Sequence, residues 1–427
     1  MPEPARPSTV LDPSETWTED ERRAAQRERL SAMLREVLAT NAFYRRKLGD
    51  SVAVDDWSRV PFTVKTELTA DQGEHPPYGT NLTYPLERYT RVHQTSGTTG
   101  RPLRILDSPE SWEWWKRAWQ QIYRAAGVIS SDRVYFCFSF GPFIGFWSAF
   151  AGAEYLGALC ISGGSQSSAE RLVGMIDTQA TVLVCTPTYA LRLAEVARAE
   201  RIDLARSKLR VSIHAGEPGA SIPATRDRIE SAFGVRAFDH TGATEIGPTG
   251  FSCDARDGVH LIEGEFLVEI LDADGVTVRE EGEGELVLTN LGRWATPIIR
   301  YRTGDRVRAV RGRCSCGRTL VKLEGGILGR VDDMVTIRGV NVFPIAIESI
   351  VRGFDEIVEY RIEVFEERGM DGLRCVIEPR GVADGLAERV VQAIHEGIGV
   401  RCVVEIAEPG SLPRFEMKAK RFSVRRA

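Results

Sequence analysis

Four short apolar runs constrain the fold of this chain more than any other feature. They are "RVYFCFSF" (133–140), "ATVLVCTP" (180–187), "LRVSIHAGE" (209–217) and "VRAFDHTGATE" (235–245), with helical patterns between them. A strand that is apolar on both faces has to be covered on both, as happens in a parallel sheet with crossover helices. The expected core is therefore α/β with parallel pairing.

From Val259 the texture changes. "FLVEILDADGVTVREEGEGELVLTNL" alternates, and its D-x-D-G and E-G-E-G turns predict an antiparallel β meander. After Gly329 and Arg330 the pattern predicts a small α+β unit. It has helices near 344–353 and 385–397, strands within "VEYRIEVFEERGMDGLRCVIEPR", and a strand in "VRCVVEIA". A chain of 427 residues exceeds what one core holds. The expected division is a large N-terminal domain, 1–330, and a small mobile C-terminal domain, 331–427. Near the start, apolar residues at 30, 33, 34, 37 and 38 have helical spacing.

Charge excludes some partners. With 55 basic and 60 acidic residues the formal net charge is −5, which gives no electrostatic case for nucleic acid or a membrane surface. The span 143–162 carries a single charge, Glu154, and is about as long as a bilayer crossing. Its glycines and the lack of flanking Lys or Arg favour a buried helix between core strands. The Pro-rich, charged opening does not read as a secretory signal. With that, the eight cysteines are expected in a reducing cytoplasm, where structural disulfides are rare.

"QTSGTTGRP" (94–102) crowds four hydroxyls around two glycines. Glycine lets backbone approach closely, and N–H groups with hydroxyls cradle anionic oxygens, so the stretch suits a phosphate chain. A Ser/Thr/Gly-rich surface turn is the plainer alternative. The stretch is not a nucleotide-hydrolase P-loop, whose G-x-x-x-x-G-K-[ST] is missing here.

Five stretches follow in order: "TSGTTGRP" (95–102), "HTGATE" (240–245), "YRTGD" (301–305), "GRVDDMVTIRGVNVFP" (329–344) and "PRFEMKAKR" (413–421). Each alone is weak. Together they resemble the adenylate-forming superfamily of acyl-CoA synthetases, peptide-synthetase adenylation domains and luciferases. The length, "GVNVFP" and "NAFYRRKL" look most like the phenylacetate–CoA ligase branch.

The resemblance implies activation of a carboxylate by ATP and transfer of the acyl group to a thiol. Thr95, Ser96, Gly97, Thr98, Thr99, Gly100 and Thr244 would hold the nucleotide. Glu245 would offer a hard oxygen to Mg²⁺, Asp305 would take ribose hydroxyls, and Arg330 would stand beside the nucleotide as a fixed cation. Lys418 matches the family's mobile catalytic lysine, with Lys420 as a rival within a basic tail. Asp332 falls where relatives place a hinge between the half-reactions, although Asp332 and Asp333 also fit a polar linker. Two departures stand out. Thr241 occupies the place of an adenine-stacking tyrosine, and Arg101 and Leu103 stand where many relatives carry a lysine.

The acyl pocket is expected around Phe138, Phe140, Phe143, His214, Ala215, Gly216, His240, Thr241, Gly242 and Pro248. Flat rings favour an aryl guest, and imidazoles can bond a hydroxyl or amino substituent. The expected activity is an aryl acid–CoA ligase acting on a benzoate-like or arylacetic acid, with coenzyme A as thiol. Alternatives are an enzyme that loads a carrier-protein phosphopantetheine, a non-catalytic nucleotide-binding protein, and a kinase, which would release ADP rather than AMP. Separately, Cys253, His260, Cys314 and Cys316 form a C-x6-H and C-x-C set that fits a structural zinc ion. Unrelated turns with free thiols, or a redox pair, are the alternatives.

Overall fold

The computed structural model describes residues 11–50, 52–95, 102–217, 219–331, 333–337, 340–367, 370–381, 384–415 and 419–425. The apolar runs form strands. Leu159–Ser162, Arg133–Phe136, Val182–Cys185, Val211–His214 and Arg236–Ala243 lie side by side in that order, each parallel to its neighbour. Side chains alternate between two cores. Val134, Phe136, Val184 and Ile213 face the helices Pro109–Ala125 and Ile144–Leu156. Tyr135, Leu183 and Cys185 face Ser168–Asp177, Pro187–Ala199 and Pro223–Phe233. Each large apolar side chain so buried contributes about 1.5–3 kcal/mol.

One expectation needs correction. The apolar span 143–162 is not a single helix. The helix Ile144–Leu156 ends at Gly157, and the remainder becomes the edge strand Leu159–Ser162. No described helix is long and apolar enough to cross a membrane.

The strand Arg236–Ala243 is a seam. It runs parallel to Val211–His214 on one side and antiparallel to Gly247–Ser252 on the other. The sheet then continues antiparallel through Gly258–Leu261, Lys322–Glu324, Tyr301–Val310, Gly282–Asn290, Phe266–Leu271 and Val278–Arg279. The meander is thus continuous with the parallel core in one sheet of 13 strands.

The small C-terminal domain has its own sheet and core. Its strands are ordered Cys402–Ile406, Met370–Pro379, Ile357–Glu367, Phe422–Arg425. The central pair is antiparallel and the outer strands are parallel. The helices Pro344–Arg352 and Leu386–Ile398 supply Ile347, Val351, Val390 and Ile394 to its core. The domain rests on the large one through a few polar contacts. Arg228 donates to the Ile357 carbonyl at 3.2 Å, and the buried Arg421 donates to Thr188 Oγ1 at 3.1 Å.

Candidate active site

The chemistry-bearing stretches meet at the carboxyl end of the parallel strands, where open α/β sheets carry their sites. The hydroxyl-rich stretch lies in sequence between two paired strands. These stems, Arg91–Gln94 and Arg104–Asp107, pair antiparallel with Gln94 opposite Arg104. Thr95 sits at the base. Its backbone N–H donates to Leu103 O, and its hydroxyl accepts from Leu103 N, both at 3.0 Å. Thr95 therefore closes the stem. Ser96, Gly97, Thr98, Thr99 and Gly100, as well as Asp332 and Lys418, lie outside the described residues.

A buried arginine ties this hairpin to the "GATE" turn. Arg293 Nε and Nη2 donate to the two Asp107 oxygens at 2.7 Å each, and both side chains are fully buried. Arg293 Nη1 donates to the carbonyls of Thr244 and Glu245 at 2.8 and 3.1 Å. An unpaired charge here would be costly, so the pair and the two carbonyls specify one arrangement. Nothing in the spacing around Arg293 announces this role.

The turn delivers Glu245, which is buried. Tyr301 Oη donates to Glu245 Oε1 at 2.9 Å, and Lys65 Nζ stands 3.3 Å from the same oxygen. Burial, with the Glu245 carboxylate beside it, pushes the Tyr301 phenol far above its ordinary range, so it stays a donor. Sequence reasoning misses Lys65. The segment before it is stitched to the strand that bears Tyr301. Thr63 N donates to Arg300 O and Arg302 N to Thr63 O, both at 2.9 Å, and a parallel bridge joins Thr63 to Tyr301. Lys65 then opens the helix Lys65–Glu74, with its cation at Glu245.

The "YRTGD" stretch, which opens the strand Tyr301–Val310, holds the next pair. Arg330 Nη1 donates to Thr303 O at 2.7 Å and to Asp305 Oδ1 at 3.1 Å. Gly304, at φ +75°, takes a backbone conformation that favours glycine, close beside the Arg330 guanidinium.

The expected pocket residues divide. His240 is half-buried, its ring centroid 4.3 Å from that of Trp119. Its Nδ1 lies 2.9 Å from Gly250 O and must be the protonated nitrogen, which leaves Nε2 as a bare acceptor. Burial pushes its pKa down to about 4, so the ring is neutral near pH 7. Phe138 stacks on Phe146 at 3.8 Å, and Phe140 lies 4.8 Å from Trp147, whose indole N–H donates to Gly141 O at 2.9 Å. Phe143, Ala215 and Thr241 are half-buried, Gly216 and Gly242 exposed. Thr241 Oγ1 lies 3.0 Å from Thr249 Oγ1. One expectation fails. His214 is fully buried, with Nε2 2.8 Å from Ser212 Oγ and Nδ1 3.3 Å from Cys185 O. Its ring fills the strand layer. Pro248 is buried within the strand Gly247–Ser252.

The family described as "AMP-binding enzyme" matches residues 26–292, and "AMP-binding enzyme C-terminal domain" matches residues 339–426. The chain belongs to this AMP-binding family. The chain is 34% identical to a phenylacetate-coenzyme A ligase of Thermus thermophilus over 94% of its length and 96% of that protein. It is 33% identical to the Escherichia coli phenylacetate-coenzyme A ligase over 97% of each. It is thus an AMP-forming acid–thiol ligase of the adenylate-forming superfamily, in the phenylacetate–CoA ligase-like branch. Its fold overlays a 2-hydroxyisobutyryl-CoA ligase in the postadenylation state with a TM-score of 0.91, at 30% identity, over 99% of the ligase and 95% of that chain. Against the same named enzyme in the thioesterification state the TM-score is 0.73, at 31% identity and the same coverage. The arrangement of the whole chain therefore matches the postadenylation state better.

Away from the active site, the ligase brings Cys253, His260, Cys314 and Cys316 together, with all four candidate ligand atoms within 4.8 Å of one another. Cys253 Sγ lies 3.8 Å from Cys314 Sγ, and Cys316 Sγ lies 3.6 Å from His260 Nε2. The other nitrogen of His260, Nδ1, faces Leu320 O at 3.3 Å.

Proposed function

We propose that the ligase activates an aromatic carboxylic acid with ATP and transfers the acyl group to coenzyme A. The observation that carries this reading is Glu245, a buried carboxylate at the mouth of the parallel sheet. It is oriented by Tyr301 and Lys65 and tied through Arg293 to the hydroxyl-rich hairpin. The names of the phenylacetate-coenzyme A ligases support the acid class and the thiol.

In the first half-reaction a carboxylate oxygen of the acid forms a bond to the α-phosphorus of ATP, and the bond to pyrophosphate breaks. The residues of this chain supply position and charge. Asp305 takes the ribose hydroxyls, and Arg330, held on Asp305 and Thr303 O, lies beside the nucleotide. Tyr301 and Lys65 both contact Oε1 of Glu245, which leaves the carboxylate oriented for a hard cation. Mg²⁺ held there would neutralise developing charge on the phosphates. Lys65 adds a second cation, standing in for the lysine that the hydroxyl-rich loop lacks. In the second half-reaction the thiol sulfur bonds to the acyl carbon, and AMP leaves. The small domain, taken to begin at 331 with a hinge at Asp332, turns between the two steps.

The acid is a benzoate-like or arylacetic acid with a hydroxyl or amino group. Phe140 and Trp147 offer ring faces, and neutral His240 presents a bare Nε2 that accepts from a donor substituent. A panel of acids assayed for AMP release, with and without coenzyme A, tests this. Aromatic acids should outperform acetate and octanoate. His240→Ala should lower kcat/KM for a hydroxyl- or amino-substituted ring by about tenfold, the scale of one pocket hydrogen bond, and spare the unsubstituted acid. Octanoate or acetate ahead of every aromatic acid would overturn the substrate reading.

A zinc ion at Cys253, His260, Cys314 and Cys316 is part of the same proposal. A tetrahedral zinc with bonds of about 2.3 Å to sulfur and 2.0–2.1 Å to nitrogen sets S···S edges of about 3.8 Å and S···N edges of about 3.5 Å. The observed 3.8 and 3.6 Å separations fit those edges. Leu320 O on His260 Nδ1 fixes the tautomer that frees Nε2 for the metal. With four protein ligands the site would be closed and structural.

A further inference from the structure

Glu217 follows His214 in the loop "HAGEPG", and no part of the reaction described above uses it. The chain just after it is tied to Asp239. Ala220 N donates to Asp239 at 2.7 Å, and Ser221 donates to the same carboxylate through its N–H and its hydroxyl. Gly219 presses on Pro187, the first residue of the helix Pro187–Ala199, so closely that a Cβ would lie 2.2 Å from the proline ring. The loop is thereby set against that helix's N-terminus, where unpaired N–H groups await a partner.

Glu217 supplies that partner and reaches further. Thr188 N donates to Glu217 Oε1 at 3.0 Å, and Ala419 N, from the other domain, donates to Oε2 at 3.0 Å. One carboxylate thus bridges a fixed helix of the large domain and the backbone of the C-terminal segment. Thr188 strengthens the junction, since its hydroxyl accepts from Arg421 Nη1 at 3.1 Å. Arg421 is anchored in the small domain by both oxygens of Glu359.

We propose that Glu217 is a positioning residue for acyl-adenylate formation, latching the C-terminal segment at Ala419 onto the N-terminus of the helix Pro187–Ala199. The proposal rests on the ligase reading and on Lys418, the neighbour of Ala419, as the lysine of the first half-reaction. The latch belongs to one arrangement of the domains. Overlay on the 2-hydroxyisobutyryl-CoA ligase falls from 0.91 to 0.73 between the postadenylation and thioesterification states. Contacts as local as those of Ala419 and Arg421 break when the small domain turns. Glu217 therefore favours the adenylating arrangement and has no part in thioester formation.

The test separates the half-reactions in the full-length ligase. Glu217→Ala should slow acyl-adenylate formation about tenfold, the effect of losing two charge-assisted bonds to backbone N–H groups across a mobile junction. Thioester formation from supplied acyl-adenylate and coenzyme A should be unchanged or faster. Thr188→Val, which keeps the N–H bond to Glu217 and loses the hydroxyl's contacts to Arg421 and to Glu217, should shift the same ratio in the same direction, by less. Amide hydrogen exchange of the peptide spanning 419–421 gives a readout free of turnover. In Glu217→Ala that peptide should lose protection while the core strand Ile357–Glu367 keeps its own. Equal loss of both half-reactions, or unchanged protection at 419–421, would overturn the latch. Absence of AMP release by the unmutated ligase with every acid would instead sink the ligase reading, and the exchange result would still decide the latch.

Discussion

Cys314→Ser should leave the purified ligase without zinc, where the unmutated protein carries roughly one zinc per chain. Metal binding is coupled to folding, so the loss should appear as stability, by about 4 kcal/mol or more, the range in which removal of a metal belongs. The four ligands join distant parts of the meander. Cys253 follows the strand Gly247–Ser252, His260 lies on Gly258–Leu261, and Cys314 and Cys316 lie in the loop after Tyr301–Val310. That loop also anchors the N-terminal segment. Arg318 pairs with Glu15 at 2.9 Å, both buried, and Thr319 donates to Glu15 O at 3.0 Å and to Trp17 O at 2.7 Å. Freeing the loop should therefore loosen residues 13–17 as well, read as new protease sensitivity near the N-terminus. Metal analysis and thermal unfolding of the two proteins decide the matter. A zinc-free unmutated ligase with three titratable thiols, at Cys253, Cys314 and Cys316, and unchanged stability in Cys314→Ser would remove the metal.

The parallel core is legible because its strands need no polar residue. A run such as "ATVLVCTP" is apolar on both faces only if both are covered, and Val182 and Leu183 do go to opposite cores. The strand Leu159–Ser162 escapes that reading because it follows the helix Ile144–Leu156 almost at once, and hydropathy carries across the turn without a break. The continuity of meander and parallel sheet is hidden for another reason. It depends on one strand, Arg236–Ala243, pairing parallel on one edge and antiparallel on the other, and pairing partners leave no mark in local sequence.

In the site, the residues that sit in short motifs are the legible ones. Glu245 lies in a turn, and Asp305 and Arg330 on paired strands, in short stretches whose composition announces them. Lys65, Arg293 and Glu217 act through tertiary packing, far in sequence from what they touch. Lys65 reaches Glu245 because the chain at Thr63 pairs with Tyr301, and Arg293 reaches the same turn from inside the core. His214 misleads in the opposite way. A strand-end histidine reads as pocket-facing, but the two-residue period puts it on the same face as Ser212, inside the layer.

Lys418→Ala should slow acyl-adenylate formation by about 100-fold or more, the scale of losing a charge-stabilising donor in the transition state. An ammonium on a flexible stem suits the negative charge that builds on the bridging oxygen between the α- and β-phosphates. On this proposal it would contribute only when the C-terminal segment is seated on the large domain, the arrangement in which Ala419 contacts Glu217 and Arg421 contacts Thr188. Thioester formation needs no such charge, because pyrophosphate has gone and AMP leaves without it. Supplied acyl-adenylate and coenzyme A should accordingly give thioester at nearly the unmutated rate. Lys420 provides the internal control, since it is exposed beside the seated segment and should be replaceable by alanine with little loss in either step. The measurement is pyrophosphate exchange for the first half-reaction, with single-turnover thioester formation for the second. Equal losses in both half-reactions for Lys418→Ala, or a loss confined to Lys420→Ala, would remove Lys418 from the chemistry.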